Sequence, residues 1–293
     1  MELIKEQLDR FGTKMDLWFE EKQEIGFGTS LRVRIEETLC SVRSEYQRIA
    51  VLQTARLGRM LVIDGIIMLT EFDEHSYHEM IVHVPLVRHP KPEKVLIIGG
   101  GDGGCVREVL KHPSVREVHL CEIDAKVVEV CREYLPSVAS KLDDPRVSVH
   151  FSDGAEFVKG HPETFDVILV DSTDPFGPGE VLFKEPFYRS VYSSLKDDGI
   201  VSSQCESFFY HHGVIEHTLS FLTKVFPITS YYYCLVPTYP SGVIGFAFGS
   251  KKYHPMDELD EERIRSLAPL HYYNPEVHRA AFVLPAFASG IIP

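Results

Sequence analysis

The run VLIIGGGDGGCVREV, residues 95–109, constrains the chain more than any other stretch. Four apolar residues, Val95 to Ile98, lead into a turn in which Gly99, Gly101 and Gly104 match G-x-G-x-x-G, and a helical pattern follows. Glycines at that spacing make a tight strand-to-helix turn and let backbone N–H groups approach an anionic pyrophosphate. Asp102 stands inside the turn. Two like unit charges about 4 Å apart, at an effective dielectric near 20, repel by about 4 kcal/mol, roughly a thousandfold in affinity. The turn therefore predicts a nucleoside-binding fold whose ligand is cationic instead of phosphorylated.

The rest of the chain supports an α/β fold. From about residue 78, strands alternate with glycine or acidic turns and helices: KVLII, REVHLCEID before AKVVEVCREYL, VSVHFSDG, and FDVILVDSTDP before KEPFYRSVYSSL. That alternation implies a parallel, doubly wound, Rossmann-like sheet, which GIVSSQ, a helix around VIEHTLSFLTKV, and the runs ITSYYYCLV and VIGFAFGSK would complete. The first part reads differently. In LRVRIE, Leu31, Val33 and Ile35 alternate with Arg32, Arg34 and Glu36, and Asp64-Gly65 between apolar flanks signals a hairpin. We expect a small antiparallel β domain over residues 1–73 and a catalytic Rossmann-like domain over 74–293. The loop STDPFGPGEVLF, directly after an acidic strand end, is a lid candidate.

Composition excludes several classes. With 43 Asp plus Glu against 30 Lys plus Arg, the net charge is −13, which disfavours nucleic acid as a partner and suits cationic small molecules, although solubility alone accounts for such a charge. The six cysteines include no C-x-x-C pair and lie in apolar segments, so buried free thiols are expected. A charged start and the lack of a long apolar run predict no signal peptide and no membrane span, hence a cytoplasmic protein.

Ligands of such sheets bind beyond the carboxyl ends of the strands. There the sequence puts Asp102, then Glu122 and Asp124, then Asp153, then Asp171 and Asp174. Glu122 lies twenty residues after Asp102, near the offset at which an acid accepts ribose hydroxyls, and Asp153-Gly154 suits an adenine amine. Asp is also a favoured helix N-cap, the simpler reading for Asp124 and an equal one for Asp153. An adenosyl ligand bearing a sulfonium suits the acidic rim. S-adenosylmethionine brings a carboxylate that would meet Asp102; its decarboxylated form keeps both positive charges and drops the negative one.

Several segments together, GGGDGG, CEID, SDGAEF, VDSTDPFGP, PTYPSG, DEHSYHEM and the closing YYNPEVHRAAFVLP, resemble the spermidine synthase family of polyamine aminopropyltransferases, from about Tyr46 to Phe287. The resemblance implies transfer of an aminopropyl group from decarboxylated S-adenosylmethionine, a co-substrate and not a resident cofactor, to putrescine. It implies Asp171 as general base and, with Asp174, as a binder of the acceptor amine. Gln47, Asp102, Glu122, Asp153, Gly154 and Pro178 would contact the donor, while Tyr77, His78, Gln204 and Tyr239 would line the polyamine channel. No metal is implied, and the family's usual state is a homodimer or homotetramer. Some relatives place a tryptophan in the amine pocket; Trp18, the only one here, sits in a different local pattern and is assigned to the core. Two other readings remain: an S-adenosylmethionine methyltransferase, which has no use for Asp102 with the Asp171/Asp174 pair, and a catalytically silent polyamine-binding protein, which has no need of a base.

Overall fold

The computed structural model describes residues 17–172 and 177–291. Its first part is a five-stranded antiparallel sheet in chain order: β1 (Leu17–Glu21), β2 (Leu31–Arg43), β3 (Arg48–Thr54), β4 (Arg59–Ile63) and β5 (Ile66–Thr70). A 3-10 turn, Gln23–Phe27, joins β1 to β2. Asp64 and Gly65, with φ of 50° and 88°, make the two-residue turn between β4 and β5, since such hairpins need positive φ at both central positions. Alternation splits β4 between two cores. Met60 and Val62 pack with Val33 and Ile35, whereas Leu61 and Ile63 face the rest of the protein.

Between this sheet and the next lies α1 (Glu74–Arg88), buried on nearly all sides. A helix so enclosed must satisfy every polar side chain from its neighbours. Glu79, for example, accepts the backbone N–H groups of His271, Tyr272 and Tyr273 at 2.7–2.8 Å, which seats the closing YYNPEV segment against the helix. Asp73, just before α1, accepts from the backbone N–H and hydroxyl of Thr238 at 2.8 and 2.9 Å, holding the PTYPSG turn.

The second sheet comprises β6 (Lys94–Gly99), β7 (Glu117–Glu122), β8 (Val147–Phe151), β9 (Phe165–Asp171), β10 (Leu195–Gln204), β11 (Ile228–Leu235) and β12 (Val243–Ser250), in the order β11-β12-β10-β9-β6-β7-β8. Its helices are α2 (Gly104–Val109), α3 (Ala125–Tyr134), α4 (Gly154–Lys159), α5 (Glu185–Ser194) and α6 (His212–Val225), followed by α7 (Glu261–Ser266) and α8 (Pro275–Ala280). The five strands from β6 to β10 are parallel, as the alternation predicts. Of the last two, β12 alone is reversed. β12 runs antiparallel to both β10 and β11, because β11 and β12 are joined by a turn too short for a crossover.

Trp18 departs from expectation. It is 50% exposed on an edge strand, with the Arg32 guanidinium 5.4 Å over its ring, because β1 turns Phe19 and Glu21 inward and the alternate residues Trp18 and Glu20 outward. All six cysteines are free, and five are buried.

Candidate active site

The strand order reverses between β6 and β9, and a cleft opens beyond the carboxyl ends of the parallel strands, closed on its other side by the N-terminal sheet. Gln47, Tyr77, His78, Asp102, Glu122, Asp153, Gly154, Asp171, Gln204 and Tyr239 all line it. Asp174 falls outside the described residues, and Pro178 lies in the 3-10 turn Gly177–Phe183, from which Gly179, Val181 and Leu182 reach the cleft.

The glycine turn is shaped by its neighbours. A Cβ on Gly99 would stand 2.1 Å from the Asp171 carbonyl oxygen, which accepts the Gly100 N–H at 2.8 Å. On Gly104 it would stand 2.3 Å from the His78 ring. Neither contact is with a ligand: these two glycines let a strand end and a helix side chain approach the turn.

Asp171, the last residue of β9, accepts from the Tyr77 hydroxyl at 2.7 Å on Oδ1 and from the Cys105 thiol at 3.1 Å on Oδ2. Burial, then the nearby Asp102 charge, raises its pKa; His78, Tyr77 and Cys105 pull the other way. Asp102 takes the Gly104 N–H at 2.7 Å and faces His78 Nε2 at 3.2 Å, both through Oδ1, which leaves Oδ2 to the cleft. Its own pKa is lowered: burial opposes that, but His78 and the Gly104 N–H prevail.

On the nucleoside side, Glu122 accepts backbone N–H groups on both oxygens, from Gly101 at 3.2 Å and Asp124 at 2.9 Å. Burial nonetheless pushes its pKa to about 7. Asp153 caps α4 through the Ala155 N–H at 2.7 Å, as the capping reading expects, and also lines the cleft. Asp124 caps α3 as expected and does something more. It accepts from Ser44 Oγ at 2.6 Å and Gln47 Nε2 at 3.0 Å, fixing the N-terminal sheet to the rim of the cleft. Gln204 is buried at the end of β10, and the Tyr239 hydroxyl donates to the Met68 carbonyl at 2.8 Å with its ring 6.4 Å from that of Tyr77.

The sequence reading missed an acidic end wall. Glu21 and Glu24 from the N-terminal part meet Glu206 and His211, with His211 3.3 Å from Glu24 and 3.1 Å from Glu206. Glu21 takes the Ile67 N–H at 2.6 Å on Oε2, while buried Oε1 has no hydrogen-bond partner among the described residues. Burial lifts the pKa of Glu21 to about 7. It also missed Glu74 and Arg107 behind His78, although Glu74 and His78 stand four apart on one helix and so share a face.

A family model described as the spermine/spermidine synthase domain matches residues 74–260, and one described as the spermidine synthase tetramerisation domain matches residues 17–71. The chain belongs to the spermidine synthase family. Its relatives there include the polyamine aminopropyltransferase of Leptospira biflexa, 51% identical over 278 residues, covering 95% of this chain and 99% of that protein. That of Caldicellulosiruptor bescii is 47% identical over 279 residues, covering 95% and 99%. Among solved structures, a spermidine synthase in complex with the transition-state analogue AdoDATO superposes with a TM-score of 0.92 at 44% identity, covering 95% of this chain and 96% of that one. The spermidine synthase of Thermotoga maritima gives 0.91 at 43%, covering 95% of each. The family is one of alkyl-transferring enzymes and these relatives are named aminopropyltransferases, which sets the silent binding protein and the methyltransferase behind the aminopropyltransferase reading.

Proposed function

We propose that this enzyme transfers the aminopropyl group of decarboxylated S-adenosylmethionine to putrescine, giving spermidine and methylthioadenosine. The observation that carries the reading is Asp171: a half-buried carboxylate of raised basicity, hydrogen-bonded by Tyr77, in the same cleft as Asp102 and Glu122. The acceptor ammonium gives one proton to Asp171, the freed nitrogen lone pair attacks the carbon next to the sulfonium, and the C–S bond breaks with its electron pair going to sulfur, leaving a secondary ammonium product. Sulfur leaves as a neutral thioether, so the reaction needs no external activation of the leaving group.

The difficulty is the nucleophile. An alkylammonium with a pKa near 10.4 facing a free carboxylate near 3.9 makes proton handover cost about 9 kcal/mol. Burial of Asp171 and its proximity to Asp102 narrow the gap from one side. The sulfonium narrows it from the other by disfavouring a second positive charge, and near-attack positioning contributes about 7 to 11 kcal/mol. Glu122 takes the ribose hydroxyls, with Gln47, Asp153, Gly154 and Pro178 completing the donor site. Tyr77, Asp174, Gln204 and Tyr239 line the acceptor path, whose far ammonium is received by the acidic end wall.

In the same reading, residues 1–73 form the assembly domain of a homodimer or homotetramer and 74–293 the catalytic domain, in the cytoplasm. No described helix is long and apolar enough to cross a membrane. Incubation with decarboxylated or ordinary S-adenosylmethionine, with and without a panel of diamines of graded length, tests the activity by mass spectrometry. Putrescine-dependent methylthioadenosine and spermidine support it; S-adenosylhomocysteine, or best turnover with another amine, overturns it.

A further inference from the structure

His78 is enclosed by charge. Its Nδ1 lies 2.6 Å from Glu74 Oε2 and its Nε2 3.2 Å from Asp102 Oδ1. A neutral imidazole has a single N–H, so one of these contacts would set a lone pair against a carboxylate; only the imidazolium donates to both. Glu74 is itself fixed from behind by Arg107, which donates to its two oxygens at 2.9 and 2.8 Å. On one side the ring rests on Gly104, with no room there even for a methyl group. The charged and titratable groups facing it are therefore Glu74 from α1, Asp102 from the glycine turn, Asp171 from β9, and Arg107 and the Cys105 thiol from α2, with Tyr77 beside it. Burial opposes a charge on His78, yet Asp102 and Glu74 raise its pKa well above the ordinary histidine value.

We propose that His78 is a resident counter-cation that the donor's ammonium replaces on Asp102, so that His78 gives up its Nε2 proton to solvent as the donor binds. This rests on the donor being decarboxylated S-adenosylmethionine with its amine at Asp102. The exchange balances: one ammonium enters, one N–H bond breaks, and one proton leaves. Nδ1 keeps its proton because Glu74, held by Arg107, still accepts it. The freed Nε2 lone pair then accepts a hydrogen bond from the ammonium that displaced its proton. The empty cleft thus never exposes two buried carboxylates without a cation, and the filled cleft does not crowd His78⁺ against a sulfonium and an ammonium. His78 is a positioning and charge-balancing residue here, not the base.

Titration calorimetry of the donor near neutral pH, in buffers of different ionisation enthalpy, reads the exchange directly. Release of about one proton per donor is expected, none with methylthioadenosine, which carries neither positive charge. His78→Gln should bind the donor without release. Asp171→Asn should keep the release, which separates His78 from Asp171, while methylthioadenosine, which reaches Glu122 as the donor does, controls for that raised carboxyl. Donor binding with buffer-independent heat, or release that persists in His78→Gln, overturns the exchange while leaving the proposed activity standing; no donor binding at all strikes the activity instead. Should the His78 variant not fold, ¹⁵N spectra of the wild-type imidazole decide. Both ring nitrogens should be protonated in the free enzyme and Nε2 alone deprotonated with donor bound; an unchanged Nε2 signal overturns the inference.

Discussion

Tyr77 and Asp171 are 94 residues apart in sequence and 2.7 Å apart in space. The hydroxyl comes from the first turn of a buried helix and the carboxylate from the end of the central strand beside it, so the helix tempers a basicity that burial and Asp102 raise.

Replacing the carboxylate tests the base. Asp171→Asn should keep methylthioadenosine affinity within a few-fold, since Glu122 and Asp153 are untouched, and reduce turnover by about a hundredfold to ten-thousandfold, the usual worth of a general base. Initial rates of methylthioadenosine formation beside a binding titration measure both. Undiminished turnover would assign proton acceptance elsewhere.

Removing the hydroxyl tests the tuning. The Tyr77 hydrogen bond lowers the pKa of Asp171, so Tyr77→Phe should raise it further and carry the acid limb of the kcat/KM profile to higher pH. An acid limb that stays in place would mean the contact positions Asp171 without tuning it.

Donor discrimination should depend on Asp102. Asp102→Asn is expected to weaken the decarboxylated donor and strengthen ordinary S-adenosylmethionine relative to it, shrinking the affinity ratio by up to roughly a thousandfold. Calorimetric titration of both ligands gives the ratio, and an unaltered ratio removes the charge argument.

Gly104 begins α2, where alanine ordinarily stabilises a helix by about 1 kcal/mol. Here the new methyl meets the buried His78 ring, so Gly104→Ala should instead destabilise by about 1 to 3 kcal/mol in denaturant unfolding. Adding His78→Ala should recover most of the loss. Independent, additive effects would show that the two residues do not compete for the same space.

Glu21 is 1% exposed and has a pKa raised to about 7. A carboxyl raised on folding holds its proton in the native state after the unfolded chain has released its own. The associated stability is complete below about pH 4.5 and lost as pH climbs to about 7. Glu21→Gln, whose carbonyl can still accept the Ile67 N–H, should therefore match wild type at low pH and exceed it by up to about 3 kcal/mol above neutrality. Melting curves across that range decide; a pH-independent difference contradicts the assignment.

The Gly99–Gly104 turn, the strand–helix alternation, the Asp64-Gly65 hairpin and the acids at the strand ends were all legible in the chain, because each is a local rule about backbone freedom, periodicity or capping. Asp124 shows where such rules stop. Its capping bond to Lys126 was readable, but its grip on Ser44 and Gln47, from another sheet, was not. Trp18 is assigned to the core from sequence because its local pattern is not that of an amine-pocket tryptophan; its exposure follows from β1 being an edge strand, which depends on the pairing of the whole sheet.

By itself the sequence determined the classes of element, the acidic character of the ligand rim and the family, since ordered motifs and periodicity are properties of neighbours along the chain. Only the folded protein decided which acid is made more basic, which histidine stands between two carboxylates, and what closes the far end of the cleft. Those outcomes depend on burial and on charges a few ångströms away that arrive from distant segments, and electrostatic energy follows distance in space, to which sequence separation is no guide.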